Sequence, residues 1–136
     1  MADLDNNNHS VFMLTYHLVL CTKFRRKVID QRIADRIEEI GKKIGRNKGV
    51  EFLEYNHEQD HIYILFKARP NTEISKFINA FKSASSRRIK REFPMIKESL
   101  WNEYFWSQSY CLLTSGGAPL ETIKQYIEDQ GKEKKC

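Results

Sequence analysis

The order in which the hydrophobic period changes along this chain restricts its fold more than any other feature of the sequence. Ser10 to Thr22, SVFMLTYHLVLCT, is rich in β-branched and aromatic residues and is bounded by a polar tail and a basic turn, as a strand would be. From Asp30 to Lys48 the apolar positions fall at Ile33, Ile37, Ile40 and Ile44, one face of a helix, with Asp30 placed to cap its start and Gly49 just past its end. Val50 to Asn56 and Ile62 to Lys67 return to strand character around the short polar connection HEQD, which predicts an antiparallel hairpin. A second helix is expected over about Glu73 to Arg91, its core face carried by Ile74, Phe77, Ile78, Phe81 and Ile89, with Asn71 or Thr72 near its cap and Pro94 ending it. Glu103 to Thr114 reads as a fourth strand, and a last helix begins near Pro119, after Ser115-Gly116-Gly117. The order βαββαβ predicts an α+β sandwich of ferredoxin-like or RNA-recognition-like type. It has an antiparallel sheet with two helices on one face, followed by a C-terminal helix that carries a tyrosine.

With 136 residues the chain is the size of one domain, 1–136, with residues 1–8 and 132–136 expected to be flexible. No apolar run approaches the roughly 20 residues that span a bilayer, and the polar N-terminus lacks the pattern of a signal peptide, so a soluble, cytoplasmic protein with no membrane partner is expected. The cysteines Cys21, Cys111 and Cys136 are odd in number and include no CxxC pair, which favours reduced thiols over a disulfide framework or a cysteine zinc site. The net charge is +5, and its distribution matters more than its sum: from Lys76 to Arg91 there are six Lys or Arg residues and no acid. A second basic cluster, Lys23-Phe24-Arg25-Arg26-Lys27, follows the first strand. Two such clusters with aromatic neighbours suit a polyanion, most naturally nucleic acid, and also suit plain solvated faces.

The stretch QDHIYILF contains the first candidate for chemistry. Side chains alternate along a strand, so Ile62, Ile64 and Phe66 face the core while His61, Tyr63 and Leu65 share the opposite face. An outward histidine at a strand start is either a surface residue or a ligand. In the last helix, APLETIKQYIEDQ, Leu120, Ile123 and Ile127 form the buried stripe, and Tyr126 and Gln130 stand one above the other on its flank. That pair could cover the edge of the stripe, or both could reach one point on a neighbouring sheet.

Taken together, YHLVLCTKFRRKV, DHIYILF, NAFKSASSRRIKREFP, LWNEYFWSQSYCLLTSGGAP and YIEDQ resemble the single-tyrosine transposases of the insertion-sequence 200/605 family, within the HUH (His-hydrophobic-His) nuclease superfamily. The resemblance covers about His9 to Gly131. It implies a homodimer that binds hairpin single-stranded DNA ends of a mobile element, cuts them and rejoins them through a 5′-phosphotyrosine, with no nucleotide cofactor, in a cell of prokaryotic type and at the nucleoid when bound. It also implies that Tyr126 is the nucleophile and that His61 and Gln130 are ligands of a divalent cation, Mg²⁺ or Mn²⁺. The family's second histidine falls on Tyr63, a weak ligand for such a cation, so weakened metal affinity and impaired cleavage are expected. In a tight hairpin His57 would be a near cross-strand partner of His61 and could lend a nitrogen in its place.

Phosphate contacts are expected from Lys23, Arg25, Arg26, Lys82, Arg87, Arg88, Lys90 and Arg91, while Phe24, Tyr104 and Trp106 are open to two readings, stacking on unpaired bases or a place in the core. Gly116 and Gly117 would form a hinge ahead of the tyrosine helix, which in the resembling family can complete the other subunit's active site. Two further readings remain open: a non-catalytic DNA-binding descendant, serving as a repressor or accessory factor, and an RNA-binding module that shares only the fold.

Overall fold

The structure, a computed structural model, describes residues 14–114 and 120–130. The hinge expected at Gly116 and Gly117, the ends 1–8 and 132–136, and Cys136 lie outside them. Among the described residues no helix is long and apolar enough to cross a membrane.

The elements follow the expected order: β1 (Leu14–Cys21), α1 (Gln31–Lys48), β2 (Val50–His57), β3 (His61–Ala68), α2 (Ile74–Glu92), β4 (Cys111–Thr114) and α3 (Leu120–Gln130). The sheet is antiparallel in the order β2-β3-β1-β4. Asp30 caps α1 as its sequence position suggests, its carboxylate accepting the Ile33 N–H at 2.9 Å. Gly49 ends that helix in the left-handed region at φ 75°, where a side chain would be strained.

α1 and α2 cover one face of the sheet. Ile33, Ile37 and Ile40 of α1 and Phe77, Ile78 and Phe81 of α2 pack with Leu18, Leu20, Ile62, Ile64 and Phe66, all nearly inaccessible to water. The burial of β3 alternates at every residue, which confirms the two faces assigned to it. Gly41 allows α1 to approach this core closely. A Cβ there would stand 2.8 Å from the Phe52 ring and 2.9 Å from Phe81.

Three local expectations are corrected. The N-cap position of α2 is Glu73, without a side-chain cap bond, rather than Asn71 or Thr72. The fourth strand is confined to Cys111–Thr114, because the chain turns through short 3₁₀ segments over Pro94–Ser99 and Trp101–Glu103 and only Trp106 makes an isolated bridge, to Thr22. Asn102 and Glu103 adopt φ of 50° and 61°, incompatible with an extended run.

The third correction concerns His57. Val50 pairs with Ala68 and Phe52 with Phe66, and continuation of that register would set His57 opposite His61. A bulge between Phe52 and Glu54 inserts one residue, so Glu54 pairs with Leu65 and His57 with Ile62. A one-residue slip moves every later side chain to the other face. His57 therefore lies on the α1 side, with Nε2 3.4 Å from the Gln31 side-chain oxygen, and is not available to His61.

Candidate active site and basic surface

The sheet face opposite α1 and α2 carries His61 and Tyr63 on β3, His17, Val19 and Cys21 on β1, and Cys111 and Leu113 on β4, as the pairings His61↔Cys21, Tyr63↔Val19, Leu65↔His17 and Val19↔Cys111 require. α3 packs on this face of its own chain. Ile123, Tyr126 and Ile127 lie against a small cluster of Val19, Cys21 and Cys111. Cys21 and Cys111 are buried thiols here, and burial pushes the Cys111 thiol above its ordinary range.

His61 is oriented by a buried carboxylate. Asp60, only 5% exposed, accepts from His61 Nδ1 at 2.9 Å with one oxygen and from Arg25 Nε at 2.9 Å with the other. Because a carboxylate only accepts, the proton of a neutral His61 is on Nδ1 and Nε2 presents its lone pair. Imidazoles that ligate metals are commonly held in this way. The turn that delivers Arg25 is fixed to the same place, with Thr22 N–H donating to the Asp60 carbonyl at 2.9 Å and the Thr22 hydroxyl to the Arg26 carbonyl at 2.7 Å.

Tyr63 has a different partner. Its hydroxyl lies 2.7 Å from His17 Nδ1, with the two rings tilted and 5.9 Å apart. Burial, then the nearby Glu54 carboxylate, pushes the phenol above its ordinary pKa, so it is neutral across the physiological range. His17, Tyr63 and His61 line a largely apolar cleft of about 450 Å³ closed on its other side by Ile123, Lys124 and Ile127 of α3. Sequence reading passed over His17, although alternation along β1 points it to the same face as Val19 and Cys21. Only the pairing with β3 brings it to Tyr63.

Tyr126 and Gln130 are brought together, on the β4 side of α3. The Ser107 hydroxyl donates to Gln130 Oε1 at 2.6 Å, and the Ser109 hydroxyl donates to the same oxygen at 3.3 Å and lies 3.0 Å from the Tyr126 hydroxyl. Gln130 is 8% exposed, so its amide depends on these partners. Ser107 is itself tied to the end of β1, its N–H donating to the Cys21 carbonyl at 2.8 Å. Since Cys21 pairs with His61, the serine pair and the histidine stand at the same end of the sheet with β1 between them. Neither serine was singled out in the sequence.

The expected donor set is thus one imidazole nitrogen and one amide oxygen. Among the described residues no group of three His, Cys, Asp or Glu side chains is placed to hold a metal ion. His61 Nε2 suits a divalent cation that keeps water and takes phosphate oxygens as its remaining ligands, whereas Gln130 Oε1 as placed already accepts both serine hydroxyls.

The basic residues divide between structural and exposed roles. Lys82 donates to the carbonyls of Ser107 at 2.7 Å and Gln108 at 3.0 Å, anchoring the serine loop to α2, and burial followed by the charge of Lys23 lowers its pKa. Lys90 donates to the Glu103 carbonyl at 2.8 Å, and Arg25 is engaged by Asp60. Lys23 caps the Phe24 ring, its ammonium 5.0 Å from the centroid. Arg26 has a buried Nε without a hydrogen-bond partner. Arg87 and Arg91 line an open cleft beside α2, and Arg88 lies close enough to Glu92 to favour its charged form. Of the aromatics, Trp106 takes the core alternative and donates to the Ser85 hydroxyl at 2.9 Å, while Tyr104 is exposed.

Comparison with known proteins places these features in context. A family model described as "Transposase IS200 like" matches residues 10–130. The ISDra2 transposase TnpA of Deinococcus radiodurans is 37% identical over 120 residues, covering 88% of this chain and 86% of that protein. The transposase for insertion sequence element IS200 of Salmonella typhimurium is 29% identical over 135 residues, covering 99% and 88%. Among solved structures, one from Deinococcus radiodurans R1 assigned as a transposase superposes with a TM-score of 0.83 at 34% identity over 93% of this chain and 98% of that one. A REP-associated tyrosine transposase bound to a REP hairpin shares the fold, with a TM-score of 0.59 at 9% identity over 92% of this chain and 69% of that one.

Proposed function

The chain belongs to the IS200-like transposase family, and from that premise we propose that it binds hairpin single-stranded DNA ends and cuts and rejoins them with Tyr126 as nucleophile. The observation that carries the reading is the joint placement of Tyr126 and Gln130 by the Ser107–Ser109 pair, at the sheet end where Asp60 orients His61.

In the proposed reaction the Tyr126 oxygen forms a bond to a backbone phosphorus, the bond from that phosphorus to O3′ breaks, and the departing strand leaves as a 3′-hydroxyl. The phenolic proton is released as the phosphotyrosine diester forms. One phosphodiester is exchanged for another, so rejoining needs only a second 3′-hydroxyl to attack the ester, with no water or nucleotide cofactor consumed. A phenol with a pKa near 10 is a poor nucleophile at neutral pH, so the phosphate needs activation. A bound Mg²⁺ or Mn²⁺ would supply that by polarising the phosphoryl oxygens, held by His61 Nε2 and Gln130 Oε1. Both hydroxyl bonds of the serine pair now fall on Gln130 Oε1. Turning the amide over would let the same hydroxyls accept from Nε2 and leave Oε1 facing away from them. Tyr63 adds no ligand in this reading because its hydroxyl is committed to His17, and cleavage is correspondingly weak.

We place the protein as a homodimer in the cytoplasm, at the nucleoid when bound, with Lys23, Arg26, Arg87, Arg88 and Arg91 toward the phosphates and Lys82 holding the serine loop. The Tyr63–His17 bond also favours a second reading, a non-catalytic hairpin binder that retains the fold and the basic surface. Cleavage of a hairpin oligonucleotide with and without Mn²⁺ decides between them. Covalent capture by the wild type that disappears in Tyr126→Phe supports the nuclease, and binding without capture supports the binder.

A further inference from the structure

We propose that Trp101 and Tyr104 form a stacking seat for an unpaired nucleotide of the bound DNA, apart from the site around His61 and Tyr126. The inference rests on the DNA-binding part of the reading above and not on cleavage.

Two loops build the seat, and both contain consecutive left-handed residues: Phe24 and Arg25 at φ of 55° and 54°, Asn102 and Glu103 at φ of 50° and 61°. None is a glycine, and such backbone is tolerated only where its surroundings enforce it. These bends join the aromatics into a continuous array. Phe24 meets Trp101 edge-on with centroids 5.5 Å apart, and Trp101 lies near-parallel to Tyr104, 5.9 Å away at an interplanar angle of 24°. The array ends in water. Among the described residues Tyr104 is the one aromatic side chain more than half exposed, at 54%. Tyr104 packs on Trp101 with one face and leaves much of its ring in water, although burial of a ring of that size would be favourable.

The surroundings indicate the occupant. On one side, Trp101 and Asn102 border a cleft of about 480 Å³ whose charged walls are Arg26, Lys27 and Glu98. On the other, Glu103 is the single acid in a cleft of about 590 Å³ that also carries Arg87, Lys90, Arg91 and Lys97. Cations prevail in both. An exposed ring whose chain neighbours Trp101, Asn102 and Glu103 border two cationic clefts matches a chain that alternates phosphates with flat, accessible π-faces, as single-stranded nucleic acid does. A duplex satisfies the cations but keeps its bases stacked inside, and an acidic peptide offers no regular flat face to the ring. The seat therefore selects an unpaired nucleotide next to the hairpin stem.

Fluorescence anisotropy of two labelled probes tests this, one a DNA hairpin with an unpaired flank and one the same stem with blunt ends. Tyr104→Ala is expected to weaken the flanked probe by about 10-fold to 100-fold and to leave the blunt stem within about twofold of wild type, while Tyr104→Phe keeps both. Equal losses on the two probes, or no loss on either, overturn the seat. A wild type that binds neither probe overturns the DNA reading beneath it.

Discussion

Replacing Tyr63 separates a residue that merely stands at the cation site from one that belongs to it. For the phenol to serve as a ligand it must leave His17, a bond 2.7 Å long whose net worth is about 1 kcal/mol, and it must also ionise. From an ordinary phenol pKa of about 10, ionisation at neutral pH costs about 4 kcal/mol, and the upward displacement of Tyr63 adds to that. Together these amount to about 5 kcal/mol against coordination, so Tyr63→Phe should change Mn²⁺ affinity by no more than about twofold while lowering stability by about 1 kcal/mol. Tyr63→His instead places a second imidazole two positions from His61 on the same strand face, roughly 7 Å along the strand and within reach of a shared cation. Its Mn²⁺ affinity should rise by at least about tenfold, or about 1.4 kcal/mol, and Mn²⁺-dependent cleavage should rise with it. Titration calorimetry, or the loss of the free Mn²⁺ signal in electron paramagnetic resonance, reads the affinity without reference to turnover. A tenfold loss in Tyr63→Phe, or no gain in Tyr63→His, would show that the phenol is already a ligand or that the cation binds elsewhere.

Further outcomes follow from the same geometry. The double substitution Ser107→Ala with Ser109→Ala strands the buried Gln130 amide, and should cost about 1–3 kcal/mol in denaturant unfolding and about 10-fold to 100-fold in Mn²⁺ affinity; full retention of that affinity would remove the serines from the site. Asp60→Ala frees the His61 ring and leaves Arg25 without its carboxylate, so both stability, by about 1–3 kcal/mol, and Mn²⁺ affinity should fall, and an unchanged melting curve would contradict the buried pair. Burial holds the Tyr55 phenol far above its ordinary pKa, with Glu38 and Asp35 adding to the effect. The unfolded chain then ionises first, so the stability present below about pH 10 is lost as pH rises further, and Tyr55→Phe should make that loss less steep. DNA affinity should fall steeply with salt, and Arg87→Ala with Arg91→Ala should reduce the slope of log affinity against log salt by about 1–2.

Local periodicity was enough to determine the order of the elements, though not the extent of the fourth strand. The four-residue and three-residue spacing of isoleucines in α1 and the strict alternation of β3 are backbone-scale properties, and the hydrophobic effect turns each into a face. Asp30 and Gly49 marked the limits of α1 for equally local reasons, and the pairing of Tyr126 with Gln130 is one turn of helix. Tertiary structure decided what those faces meet. His57 and His17 show this most clearly: a single bulged residue near Leu53 carries the first to the helix side of the sheet, and antiparallel pairing of β1 with β3 sets the second against Tyr63. Neither register nor bulge leaves a signature within the residues concerned, because both are fixed by contacts between segments distant in the chain. The same is true of Lys82, whose charge suggested a phosphate contact and whose neighbours gave it two carbonyls, and of Ser107 and Ser109, ordinary loop residues until α3 packs beside them. Sequence alone specified which residue types face the same way; the long-range packing specified which of them touch, since hydrogen bonds and charges act over a few ångströms that only the folded chain can close.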